Sequence, residues 1–237
     1  MKKIFLSFIG FAVAIAAYAQ KAIVNDPNAE QRTLNGSFNA IKISGGIDLY
    51  LSQYETESIA VSAAEQKYTD GIKTVIENNT LMIYYDGNRN WNGNKRMKAY
   101  VSFKNLQKLQ ASGACDVQVA GTINVPSLHI NMSGASDFKG DVKLVSLIVS
   151  LSGASDLKIS GSATSVNIES SGASDVKGYD LVTETCTAKA SGASDINITV
   201  NKELTAEANG ASDIYYKGNG VIKDQRTSGA SSVGKKG

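Results

Sequence analysis

The chain has 237 residues, 42% of them hydrophobic and 19% charged, with a formal net charge of +2. That balance provides no basic field to draw nucleic acid or anionic lipid. Two cysteines and one histidine are too few for a disulfide framework or a histidine-based zinc site.

In chain order, the first element is a leader. Lys2 and Lys3, an apolar run from Ile4 to Ala16, and Ala17-Tyr18-Ala19 read as a signal peptide over residues 1–19, cleaved before Gln20. The run is too short for a bilayer span, which takes roughly 20 apolar residues, and no later run approaches that length. Loss of Lys2 and Lys3 takes the formal charge from +2 to zero. The expectation is an exported protein, in the periplasm or at the cell surface, without a membrane span. Residues 20–32 read as a polar tether.

A single domain follows over 33–232, and its part at 33–105 is irregular coils or a cap. Ile41, Ile43, Gly45, Ile47, Leu49 and Leu51 share one phase of a two-residue alternation around the stretch SGGID, as an early coil would. Further strands are expected around 58–62, 80–85 and 98–103, with a short helical turn at 65–69 and turns at Asp70-Gly71 and Asn78-Asn79. Residues 86–96, DGNRNWNGNKR, read as a long hairpin loop with the sole tryptophan. Trp91 with Arg89, Lys95 and Arg96 is a candidate for stacking on a sugar ring. The plainer and favoured expectation is that Trp91 folds back and caps the core.

Residues 106–232 repeat. SGACD at 112–116 is followed by SGASD at 133–137, 152–156, 171–175 and 191–195, then NGASD at 209–213 and SGASS at 228–232. The glycines Gly113, Gly134, Gly153, Gly172, Gly192, Gly210 and Gly229 are spaced 21, 19, 19, 20, 18 and 19 residues apart. A fixed period near twenty marks a stacked architecture. Within each repeat apolar residues alternate by two, as in Leu147, Val149 and Leu151, which is the strand period. The fold class is therefore all-β: a right-handed parallel β-helix with one repeat per coil, the hand following the rule for parallel crossovers. Residues 233–237 read as a tail.

The repeat gives each residue type a place. The glycines and the second serines, Ser136, Ser155, Ser174, Ser194 and Ser212, fall on the inward phase, with Cys115 in the same slot. An inner ladder of hydroxyls passing hydrogen bonds from coil to coil is expected. Asp116, Asp137, Asp156, Asp175, Asp195 and Asp213 point outward, where stacked carboxylates repel unless compensated. Turn-capping by backbone N–H groups, together with Lys139, Lys158 and Lys177, is favoured over a calcium ladder, so no cofactor and no metal ligands are assigned. Asp137, Asp156 and Asp175 remain candidate ligand-binding positions. Identical carboxylates in a repeat lack the unequal environments that acid–base catalysis needs, so no catalytic residue is assigned. His129 reads as a surface histidine. Cys115 and Cys186 are between three and four coils apart, beyond the Cα separation of about 7 Å that a disulfide tolerates, so two inward, unbridged thiols are expected.

The succession FNAIKISGGIDLYL, AAEQKYTDGIKTVIENNTLMIYY, YVSFKNLQKLQASGACD and serial SGASD resembles the secreted "head GIN domain" family, described as "putative auto-transporter adhesins", over about residues 32–232. The resemblance implies a right-handed β-helix in an exported bacterial protein and brings no catalytic residue. The reading is a non-catalytic binding or adhesion protein that presents a regular surface to a polysaccharide or protein partner. The alternatives are a polysaccharide-active hydrolase or lyase on a β-helix, and a structural cell-envelope component.

Overall fold

A computed structural model describes residues 26–87 and 95–237. It is a β-solenoid of about seven turns, with one turn roughly every 19 residues.

The repeat coils are built from β8 (Lys108–Gly113), β9 (Asp116–Asn124), β10 (Ser127–Gly134), β11 (Asp137–Leu151), β12 (Leu157–Ser170), β13 (Asp175–Gly192), β14 (Asp195–Gly210), β15 (Asp213–Lys217), β16 (Val221–Gly229) and β17 (Ser232–Lys235). Each pairs in parallel with its equivalent one coil away: β10 with β8 and β11, β11 with β12, β12 with β13, β13 with β14, and β14 with β15 and β16. β17 pairs with β15 over Asp213–Tyr216 and Ser232–Lys235. Residues 233–235, expected in a tail, thus continue the ladder.

The two-residue alternation becomes burial directly. Leu147, Val149, Leu151, Leu157 and Ile159 are at most 3% exposed, whereas the intervening Ile148 and Lys158 face outward. Stacked coils put the same inward position over itself, so the core is one continuous column of aliphatic side chains.

The first half adds β2 (Ala40–Ser44), β3 (Ile47–Gln53), β4 (Ser58–Ser62), β5 (Ile72–Glu77), β6 (Thr80–Tyr85) and β7 (Met97–Phe103), with one helical turn, α1 (Gln66–Gly71). β2 lies between β6 and β8, and β3 between β7 and β9, all in parallel. The first coil in the chain is therefore the second coil in space. The chain then makes an outer coil from β6 and β7, and crosses back to start β8. β4 runs antiparallel to β7, and β5 antiparallel to β6 through a turn at Asn78 and Asn79, whose φ values are 48° and 59°. Two consecutive left-handed residues are what a two-residue hairpin requires. These antiparallel strands close one end of the parallel stack.

Three expectations change. Glu30–Arg32, placed in the tether, forms β1 and pairs antiparallel with β4. A hairpin loop was expected at 86–96, of which residues 88–94 lie outside the described residues. The flanking strands β6 and β7 pair with β2 and β3 and not with each other, so they are not the two arms of one hairpin. The SGASD glycines are exposed at a corner rather than inward, as the next section describes.

Candidate binding surface

The corner is built on one backbone contact. Gly45, Gly113, Gly134, Gly153, Gly172, Gly192, Gly210 and Gly229 all have positive φ, between 78° and 93°. From Gly134 onward, the alanine after each repeat glycine donates its N–H to the glycine carbonyl of the coil before. Ala135 donates to Gly113 at 2.7 Å, Ala154 to Gly134 at 2.7 Å and Ala173 to Gly153 at 2.8 Å; Ala193, Ala211 and Ala230 continue the series. A Cβ on Gly192 would lie 2.6 Å from the Gly172 oxygen. Glycine is needed both for the left-handed turn and for this close approach.

One residue further on, the chain turns inward. Ser136, Ser155, Ser174, Ser194 and Ser212 are fully buried. Their hydroxyls bond to backbone and not to one another. Ser136 Oγ donates to the Ser133 carbonyl and Ser155 Oγ to that of Ser152, both at 3.1 Å. The coil-to-coil link is carried by amides, with Ser155 N donating to Ser174 Oγ at 3.1 Å and Cys115 N to Ser136 Oγ at 3.3 Å. From Ser174 onward the hydroxyl itself also reaches back a coil: Ser174 to the Gly153 carbonyl at 3.4 Å, Ser194 to that of Ser170 at 3.1 Å and Ser212 to that of Ala190 at 3.1 Å. Cys115 and Cys186 are both buried and free.

The aspartates form an outward column beside this corner. Asp116, Asp137, Asp156, Asp175, Asp195 and Asp213 stack in register, and Ser232 closes the column. Asp48 extends it beyond Asp116, and Lys98 stands opposite Asp48. The pentapeptide SGGID already holds Asp48, and its equivalence to the last letter of SGASD was the available signal. Compensation comes chiefly from backbone. Asp137 Oδ1 accepts the Asp156 N–H at 3.3 Å, Asp195 Oδ1 that of Asp213 at 3.2 Å, and Asp213 Oδ1 that of Ser232 at 3.0 Å. These bonds join successive coils rather than capping each carboxylate's own turn. Lys177 Nζ adds contacts of 2.7 Å to Asp156 and 4.0 Å to Asp175.

The column is not electrostatically uniform. Burial, then repulsion from Asp116, pushes the Asp48 carboxyl above its ordinary value; burial, then Asp137, does the same to Asp116. At the other end the Ser232 hydroxyl, 2.6 Å away, is the main cause that holds Asp213 below it. Among the described residues no group of three or more His, Cys, Asp or Glu side chains is placed to hold a metal ion.

The corner separates two concave faces. Beyond it, Asp116, Asp137 and Asp156 border a groove of about 260 Å³ with Gln118, Lys139, Lys158 and Lys177. Before it, a groove of about 470 Å³ crosses five coils, from Asn131 to Asn209. A second concavity of about 550 Å³ lies on the same columns toward the capped end, where Lys42, Ser44 and Ser112 meet Tyr84 and Tyr85. These grooves were not anticipated, because concavity depends on how the faces curve.

Of the candidate stacking residues, Arg89 and Trp91 lie outside the described residues. Arg96 is exposed with a φ of 45°. Lys95 is only 3% exposed, its ammonium 4.3 Å from the centre of the Tyr85 ring and 5.3 Å from that of Tyr68. The ammonium is packed over the faces of these two rings. His129 is half-buried, with Nε2 unpartnered; burial, and then Lys108, lowers its pKa.

A parallel β-solenoid with the same outward positions stacked in register from coil to coil defines the architectural class of repeat proteins. The chain belongs to the family described as "putative auto-transporter adhesin, head GIN domain", whose model matches residues 37–220. Solved structures share the fold. A putative adhesin from Bacteroides fragilis is 21% identical with a TM-score of 0.82, covering 88% of this chain and 96% of its own. A putative adhesin from Parabacteroides merdae is 18% identical with a TM-score of 0.67, covering 90% and 98%. A protein from Parabacteroides distasonis described as a putative lipid binding protein is 20% identical with a TM-score of 0.66, covering 90% and 98%. No curated protein matches the chain. No helix among the described residues is long and apolar enough to cross a membrane.

Proposed function

We propose that this is an exported, non-catalytic adhesin-type protein that uses the regular faces of its solenoid to bind a polysaccharide or protein partner in the periplasm or at the cell surface. Membership of the family described as "putative auto-transporter adhesin" supports this class. The observation that carries the reading is the repetition of outward side chains in register along the stack, which offers one set of contacts many times over to an extended partner. Weak contacts repeated on a rigid frame sum to useful affinity with little further ordering cost.

The column of aspartates supports binding over catalysis. Asp48 and Asp116 are adjacent, and both are shifted upward. A general acid and its partner need environments that push neighbouring carboxyls apart. The test is to present the purified protein to an array of glycans and to separated envelope proteins, with product analysis on every glycan retained. Specific retention without chain cleavage is the expected result. Cleavage of a retained glycan would replace this reading with the hydrolase or lyase, and no retained partner would leave a structural envelope role.

A further inference from the structure

From the groove between Asn131 and Asn209 we infer a site for one uncharged, linear polysaccharide chain lying along the solenoid axis; this rests on the adhesin-type reading above.

The floor of the groove is the outer face of the parallel sheet made by β10 to β14. Asn131, Ser150, Glu169, Lys189 and Glu207 stack in register as one row. Ser152, Ser171, Ser191 and Asn209 line the groove beside it. Every rung therefore offers hydroxyl, amide or carboxylate groups, and successive rungs repeat at about 4.8 Å. The ring repeat of an extended pyranose chain is close to that spacing. Five coils give roughly 19 Å of matched length.

Two observations decide between occupants. Backbone groups of the floor are already spent in ladder pairing on both sides, so an extended peptide could not dock by strand addition there. Peptide docking would then need apolar anchors, and apart from Leu151 and Ala190, whose side chains are buried in the core, the residues lining this groove are polar. The charges are also answered internally. Lys189 lies 3.7 Å from Glu169, and Asn209 Nδ2 donates to Glu207 Oε1 at 3.2 Å. The remaining carboxylate excess disfavours a polyanion. The groove beyond the corner, with Lys139 and Lys158 against Asp116 and Asp137, is by contrast strongly charged with both signs.

Isothermal titration of the purified protein with neutral gluco- and xylo-oligosaccharides of two, four and six rings, and with a polyuronate, tests this. Affinity should rise at least tenfold from two rings to four and level off near six, and the polyuronate should not bind. Ser150 makes no side-chain hydrogen bond that a tyrosine would break, and it is half-exposed on a strand. Ser150→Tyr should fill the groove and lower affinity at least tenfold with an unchanged melting temperature, while Lys158→Tyr across the corner leaves binding as it was. Glycan binding that Lys158→Tyr removes and Ser150→Tyr spares would overturn the groove and keep the adhesin-type reading. Preference for the polyuronate, or retention of envelope protein with no oligosaccharide bound, would overturn the ligand class. Absence of any partner would take the broader reading with it.

Discussion

The thiol of Cys115 donates to the carbonyl oxygen of Ser112 at 3.4 Å, the same three-residue reach that Ser136 Oγ makes to Ser133 at 3.1 Å. The cysteine occupies a serine slot and does a serine's bonding. Cys115→Ser should therefore change stability by less than about 0.5 kcal/mol, as changes without a new packing or bonding fault do. Cys186 stacks between Val166 and Leu204 in the apolar column, where burial alone pushes its pKa up to about 12. Cys186→Ser should cost about 1–3 kcal/mol, because it buries a hydroxyl in apolar surroundings. Urea denaturation of the two variants compares them directly; equal losses would refute the distinction.

Gly192→Ala should destabilise by at least about 2 kcal/mol. Its φ of 84° alone costs a residue with a Cβ roughly 1–2 kcal/mol. The added methyl would also press on the Gly172 oxygen, which already receives the Ala193 N–H at 2.8 Å. That contact is backbone on both sides and cannot move aside. A loss below about 0.5 kcal/mol would show that the corner is more pliant than its repetition implies.

Ser155→Ala should cost about 1–3 kcal/mol, since the Ser136 amide and the Ser152 carbonyl both bond this buried hydroxyl. Ser155→Cys should recover part of the loss, as Cys115 does in its own coil. Thermal melts of the pair settle the order.

The two ends of the aspartate column should respond to pH with opposite sign. The folded state holds the Asp48 proton more tightly than the unfolded chain, so ionisation costs stability above the raised pKa, and the penalty fades as pH falls through it. Asp48→Asn should raise the melting temperature at pH 7, with the gain shrinking toward pH 3. Asp213 is held low, so its contribution is full above the unfolded value of about 3.9 and is lost as pH falls through the folded one. Asp213→Asn should lower the melting temperature at pH 7, and that deficit should close in acid. Parallel shifts in both variants would contradict the column's asymmetry.

Much of this architecture was legible because one signal, the spacing of SGASD, repeats too regularly to arise by chance. Period-two burial at Leu147, Val149 and Leu151 followed from alternation alone, as did the strands at 58–62 and 80–85. Alternation failed at Gly134. It counts residues as though the strand ran straight, and a left-handed residue turns the chain out of phase before Ser136 restores it. β5 went unseen because Lys73 and Thr74 interrupt its apolar residues at the stack's edge, where one antiparallel partner suffices. Spatial order was equally hidden, since nothing in local composition distinguishes a coil with neighbours on both sides from one with a neighbour on one. The candidate surface was read only as far as the aspartates; the groove beside them depends on the curvature of whole faces.

The displacement of β2 and β3 to second place in the stack bears on how the chain is assembled as it emerges. Their edges face β6 and β7 on one side and β8 and β9 on the other, so both stay open until residues through 124 have arrived. Assembly cannot start at residue 40 and wind forward one turn at a time. It requires a seed of three turns, closed late and at long sequence separation, which is a slow event. Beyond that seed each further turn needs only the one before it, so growth becomes sequential and directional. The half of the molecule that displays the repeat is in this sense templated by the half that lacks it.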